Sequence, residues 1–333
     1  MLRWGLLLLI GSGPGRDPSR ADPGWPPQTQ HVPHHQIHMR KIAAIREDIP
    51  MTWTLTDDVD EYLTTVSPFL AGDPVTETVM LTLARSLEER GVDAFGQDKP
   101  LMGWWAGPAG ETSAALVQMP GRPLFVSRSP VAALDDLDSV LALHAERIRE
   151  VRVGAAQEDV VSVGVLRRTG KAPTPLIRTR LYQLGWLVDP EPMPEGAAFL
   201  ATADDLPLAA DWVGAFLTDV GEADTADQIV AQTRERIGRG EIRLWRRADG
   251  VAVAMATLSA PIEGMSRISL VYTPREHRRR GYAGAVTAAL GRIAVDAGTE
   301  RILLFTDLAN PTSNALYQRL GFQPVADSVV LSL

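Results

Sequence analysis

Apolar positions recur at helical spacing along the first folded stretch, where Val59, Tyr62, Leu63, Val66 and Leu70 predict one helix. A second helix is expected from Pro74 to Arg90, closed by Gly91. Short apolar runs broken by glycine and proline then predict strands at 101–106, 112–118 and 124–127. Helical spacing returns from Val131 to Glu150, and Arg178 to Val188 reads as a strand. Asp189-Pro-Glu-Pro-Met-Pro-Glu-Gly196 has three prolines in eight residues and reads as a linker.

After the linker the pattern begins again. A strand at 198–202 leads to Asp204 and Asp205, which are candidate caps for a helix carrying Leu208, Trp212 and Phe216. A second helix is expected over 226–237, then strands at 242–246, 251–259 and 267–272 with turn residues between them. A helix from Gly281, a strand at 302–306, a helix at 312–320 and a strand near Val329 complete the half. An antiparallel meander followed by strand–helix–strand predicts an α/β (α+β) fold, with a mixed, mostly antiparallel sheet flanked by helices. The expected organisation is a tail over 1–50, an N-terminal domain over 51–188, a linker over 189–196 and a C-terminal domain over 197–333.

Composition narrows the function classes. With 45% hydrophobic and 22% charged residues in 333, the chain is that of a globular protein. Cysteine is absent, which excludes disulfides, thiolate zinc sites and a cysteine nucleophile, and fits a reducing, cytoplasmic setting. A net charge of −8 argues against a nucleic-acid partner. No apolar run reaches the ~20 residues that span a bilayer, so no membrane partner is expected. Residues 1–50, rich in Gly and Pro, read as a disordered tail or a mis-assigned start. Their His31, His34, His35 and His38 fit a solvated tail better than a metal site, so no metal is expected.

Candidate chemistry concentrates where Leu270-Val-Tyr-Thr-Pro-Arg-Glu-His-Arg-Arg-Arg-Gly-Tyr-Ala-Gly284 joins a strand to a helix. The first turn of that helix presents unpaired N–H groups and the positive end of its dipole, an arrangement suited to a pyrophosphate. Gly281 permits close approach, and Ala283 and Gly284 keep the entrance open. Taken alone, the loop reads equally as a solvated basic turn. About 30 residues on comes Asp307-Leu-Ala-Asn-Pro-Thr-Ser-Asn-Ala-Leu-Tyr-Gln-Arg-Leu-Gly-Phe322. There Thr312 or Ser313 can cap a short helix, and Asn314 and Tyr317 share one of its sides. Taken alone, Tyr317 also reads as core packing.

Together the two motifs resemble the GNAT acetyltransferase superfamily. Arg278-x-x-Gly281-x-Ala283 matches its coenzyme A pyrophosphate signature, and Asn310…Asn314-Ala-x-Tyr317…Gly321-Phe322 its later motif; the resemblance spans about 196–333. It implies acetyl-CoA as cosubstrate and a sheet splayed beside the fourth strand to admit the pantetheine arm. Val271, Tyr272 and Thr273 would then bond that arm through their main chain. Arg278, Arg279, Arg280, Gly281, Tyr282 and Ala283 would wrap the pyrophosphate, and Asn310 and Asn314 would lie near the thioester. It further implies direct attack by an amine, an oxyanion held by a fourth-strand N–H, and Tyr317 as general acid. The fourth strand lacks the glutamate many members use as a base; Glu222, Glu263, Asp307 or a water chain are alternatives.

The N-terminal half repeats the order helix–helix–three strands–helix and is expected to be a degenerate GNAT-like copy or an unrelated α/β domain. Leu124-Phe-Val-Ser-Arg-Ser-Pro130 stands where Leu270 to Pro274 would, and Leu181-Tyr-Gln-Leu-Gly-Trp186 echoes Leu316 to Phe322. No glycine follows Pro130, and Asp135, Asp136 and Asp138 would repel a pyrophosphate. Trp104 and Trp105 could line an acceptor pocket or fill the core. The expected activity is an N-acetyltransferase acting on a small-molecule or peptide amine. The alternatives are a non-catalytic acyl-CoA binding or regulatory protein or, within enzymes, a tandem layout similar to that of mycothiol synthases.

Overall fold

The structure is a computed structural model that describes residues 52–91, 99–222 and 224–333. The expected tail with its histidines lies outside these residues. Both halves of the chain run through one order of elements. The first half comprises β1 (Trp53–Thr56), α1 (Val59–Ala71), α2 (Thr78–Arg90), β2 (Leu101–Ala106), β3 (Thr112–Gln118), β4 (Leu124–Val126), α3 (Val131–Leu143), β5 (Glu150–Gly154), α4 (Glu158–Thr169) and β6 (Thr174–Leu184). The second comprises β7 (Ala197–Leu200), α5 (Leu206–Asp219), α6 (Ala226–Gly238), β8 (Ile242–Arg246), β9 (Ala252–Leu258), β10 (Met265–Tyr272), α7 (Tyr282–Asp296), β11 (Arg301–Asp307), α8 (Pro311–Arg319) and β12 (Phe322–Ser332).

Local chemistry sets many of these boundaries. Asp58 caps α1 by accepting the N–H groups of Asp60 and Glu61, and Thr225 caps α6 in a reciprocal box with Gln228. The turn between β8 and β9 places Gly250 at φ 82°, and that between β9 and β10 places Gly264 at φ 72°, where a Cβ would be strained.

All twelve strands join one sheet in the order β1-β2-β3-β4-β5-β12-β6-β11-β10-β9-β8-β7. Only β4–β5 and β10–β11 pair in parallel; the other neighbours are antiparallel. The halves exchange their last strands: β6 pairs with β11 of the second half, and β12 pairs with β5 of the first. The exchanged strands also pair with each other, and Arg180 and Asp327, directly opposite, form a two-pronged ion pair at 2.7 Å. The core follows the exchange. Tyr62, Leu83 and Leu87 from α1 and α2 share a cluster with Leu181 of β6, Met265 of β10 and Leu303 of β11. Full burial of each such leucine contributes roughly 2 kcal/mol, so the packing energies of the halves are shared.

Three expectations are corrected by the structure. The helix from Val131 ends at Leu143, and Glu150–Gly154 is instead β5, held between β4 and β12. The helix α4 that follows lies in a stretch where no helix was expected. The likeness of Leu181–Trp186 to Leu316–Phe322 is not structural: Tyr182 lies on strand β6, whereas Tyr317 lies on helix α8.

Candidate active site

β10 and β11 hydrogen-bond in parallel only from Met265↔Arg301 to Ile268↔Leu304. Beyond that point they separate. Leu270 adopts φ 49°, and the β9–β10 register shifts between Ser269 and Tyr272, so a bulge turns the end of β10 away from β11. The β11-facing edge of Ser269–Tyr272 thus has no strand beside it, while Phe305–Asp307 stay paired with β6. Val271, Tyr272 and Thr273 are half-buried along this opening, and the buried Thr273 Oγ1 has no partner.

The loop leaving β10 makes one short turn over Arg275–His277 and then reverses into α7 through Arg279 at φ 63° and Gly281 at φ 83°. None of the N–H groups from Arg279 to Gly284 finds a backbone acceptor; the first helical bond into the turn is Ala285 N–H to Gly281 O at 3.0 Å. A run of free donors at a helix start is an arrangement that can hold an oxyanion. A Cβ on Gly281 would stand 3.7 Å from Pro194, so the backbone conformation there requires glycine more than the space does.

The arginines of the loop divide. Arg279 and Arg280 are exposed. Arg278 folds back, donating from Nε to Thr273 O at 2.9 Å and pairing with Asp219 at 2.5 Å, with its guanidinium 5.8 Å from the Tyr272 ring centre. It braces the loop in this conformation. Tyr282 is buried and Ala283 half-buried on the first turn of α7.

Helix α8 starts at the end of β11, so it and the loop both stand at the carboxyl ends of the two parallel strands. Leu316 lies 3.2 Å from where a Cβ on Gly284 would be, which brings α8 against the first turn of α7. Asn310, not Thr312 or Ser313, caps α8: its Oδ1 accepts the Ser313 N–H at 3.0 Å. Asn314 is fully engaged, with Nδ2 donating to Asp307 O and Asn310 O at 2.8 Å and Oδ1 accepting from the Tyr182 hydroxyl at 2.9 Å. Tyr317 is buried at 7% exposure, edge-on to Phe322 at 6.2 Å, and burial raises its phenol above the ordinary value.

The corresponding place in the first half is built differently. β4 and β5 pair only at Leu124↔Val151 and Phe125↔Arg152, but the carbonyl of Ser127 that follows accepts from Gln157 and from Ser129. Its helix begins directly at Val131 after Pro130, with no left-handed glycine. The acids on that helix are committed: Asp138 pairs with Arg168, Asp135 with Arg167, and Asp136 accepts the Trp53 N–H. Trp105 is core, and Trp104 packs half-buried against the α1–α2 cluster.

A cavity of about 320 Å³ opens beside β4 and β5, lined by Glu77, Phe125 and Arg152 and closed on the second-half side by Phe305 and Ser328. Phe305 belongs to the part of β11 that has parted from β10, so this cavity and the splay share a wall. Sequence reading missed Arg152. The available signal was a charge inside the apolar alternation Val151-Arg-Val153.

Residues 210–322 match the family model described as Acetyltransferase (GNAT) family. No curated protein matches the chain in sequence. Among solved structures, a GCN5-related N-acetyltransferase from Sphaerobacter thermophilus is similar at TM-score 0.58 and 17% identity, over 84% of this chain and 94% of that one. A GNAT-family acetyltransferase from Colwellia psychrerythraea is similar at 0.56 and 10%, over 85% and 99%. A tandem GNAT protein from the clavulanic acid biosynthesis pathway is similar at 0.52 and 12%, over 84% and 98%. The fold is that of a tandem GNAT protein. The second half contains the stretch that matches the GNAT family model, and that match and the fold together support acyl transfer as the class of reaction.

Proposed function

We propose that the chain is an N-acetyltransferase that takes its acetyl group from acetyl-CoA and uses the second-half splay as its single cofactor site. The observation that carries this is the run of N–H groups from Arg279 to Gly284 with no backbone acceptor, set at the end of a strand edge that is itself unpaired. The donors suit a pyrophosphate, and the open edge from Ser269 to Tyr272 suits an extended amide-bearing arm.

Acetyl-CoA supplies an acetyl thioester; the chain's own residues bind, orient and move protons. Val271 to Thr273 offer main-chain partners to the arm, and a β10 N–H at the bulge stabilises charge on the acetyl oxygen. Tyr317, whose phenol is neutral at physiological pH, is the proton donor to the departing thiolate. Asn310 and Asn314 serve this arrangement by fixing α8, and with it Tyr317, through their hydrogen bonds. The acceptor is an amine that attacks the acetyl carbon directly, with its proton passed to solvent.

Replacing Tyr317 by Phe tests the assignment of the acid. Turnover should fall by about 10²–10⁴ with acetyl-CoA affinity retained. Unchanged turnover on an amine that the wild type acetylates would remove Tyr317 from the chemistry.

A further inference from the structure

Arg152 is a buried cation without an anion. It is 6% exposed, its second guanidinium nitrogen donates only to neutral hydroxyls, Thr179 at 3.2 Å and Ser328 at 2.8 Å, and its first is buried with no partner. Phe125 and Phe305 lie 5.9 and 5.1 Å from its Cζ, on the wall of the 320 Å³ cavity. Asp327, Arg128 and Glu77 also line that cavity. Asp327 is paired with Arg180, Arg128 with Asp73, and Glu77 accepts the Arg128 N–H. Burial pulls the Arg152 pKa down to about 9, and the charge of Arg267 on β10 acts in the same direction. Among the described residues neither arginine has a carboxylate within ion-pair distance.

A buried guanidinium is costly unless paired. Here aromatic faces offset part of that cost, and Arg152 lines a space large enough for a small ligand. We infer that this cavity binds an oxyanion, a carboxylate or a phosphate, carried by the amine acceptor, with Arg152 as its principal partner and Phe305 the wall between that anchor and the acetyl group. The inference rests on the reading of the β10–β11 splay as the cofactor site, and it names the acceptor class as an acidic amine. Planar guanidinium donors match either oxyanion, so the probes decide between them.

Binding is measured by calorimetry on the full chain without acetyl-CoA. 4-Aminobutyrate is compared with 4-aminobutyramide, and O-phosphoethanolamine with ethanolamine, so that each pair shares its amine and differs only in the oxyanion. The acidic member of at least one pair should bind about tenfold or more tightly than its neutral partner, and the pair that discriminates identifies carboxylate or phosphate. Arg152→Met should erase that preference. Ser328→Asp, which supplies an internal carboxylate beside the same guanidinium, should erase it with Arg152 still present, so the result does not depend on one variant folding. Equal binding of acidic and neutral probes by the wild type would overturn the inference, as would discrimination that survives in both variants. Acetyl-CoA affinity measured separately on the same proteins should be unchanged by either substitution, and a failure of the cofactor site is thereby distinguished from a failure of the anion site.

Discussion

The hydroxyl of Tyr182, on the last strand of the first half, donates to Asn314 Oδ1 on α8 of the second half at 2.9 Å. The bond exists because β6 has crossed to lie beside β11. It means that the helix carrying Tyr317 is held partly by the other half of the chain. Gln318, one turn along α8, donates to the same hydroxyl at 3.2 Å.

Tyr182→Phe should therefore lower stability by about 1–2 kcal/mol, since it leaves the part-buried Asn314 oxygen without its donor. Chemical denaturation reads this directly. Acetyl-CoA affinity should change less than about twofold, because Asn314 acts on α8. A large loss of affinity with stability unchanged would assign Asn314 to the cofactor instead.

Gly321 should tolerate no side chain. It adopts φ 92°, and a Cβ there would stand 1.7 Å from the carbonyl oxygen of Trp186. The main chain passes this closely because Gly185 N–H donates to Gly321 O and Val188 N–H to Leu320 O, each at 3.0 Å. Gly321→Ala is expected to cost more than about 3 kcal/mol or to prevent folding, as read by thermal denaturation.

Glu77 gives the chain a pH-dependent stability. Burial, reinforced by Asp73 and opposed by the Arg128 N–H, raises its carboxyl to about 7 from 4.5. The folded state thus holds the proton more tightly than the unfolded one. Stability should be greatest below about pH 4.5 as far as this group is concerned, fall by about 3 kcal/mol as pH rises to 7, and level off above. Glu77→Gln, which can still accept the Arg128 N–H, should flatten that slope and be the more stable protein at pH 8. A wild-type profile that rises from pH 5 to 7 with the same slope in the variant would contradict the assignment.

Much of the second half was legible because its strands are sequential neighbours. Ile242–Arg246, Ala252–Leu258 and Met265–Tyr272 pair across turns whose glycines mark the reversals, so local pattern and tertiary pairing agree. The loop into α7 was legible for the same reason: Gly281 and the helix behind it are local. The first half failed where pairing is remote. Glu150–Gly154 continues a helical-looking run from Val131, and its strand identity comes from β12, whose Ser328 reaches Arg152 across 176 residues. Nothing local signals that β6 and β12 change places. The capping of α8 was misread by position only, since Thr312 and Ser313 lie inside the helix and Asn310 makes the bond. Arg152 was passed over because a single charge in a short strand acquires meaning only when its surroundings are seen to lack an acid.

Calorimetric titration of the full chain with acetyl-CoA tests the central claim most directly. Saturable binding at one site per chain is expected, because of the two corresponding junctions, β10–α7 and β4–α3, only the first enters its helix through a left-handed glycine, and that binding should be lost in Gly281→Val with the thermal transition retained. Undiminished affinity in a folded Gly281→Val protein, or two equivalent sites in the wild type, would contradict it.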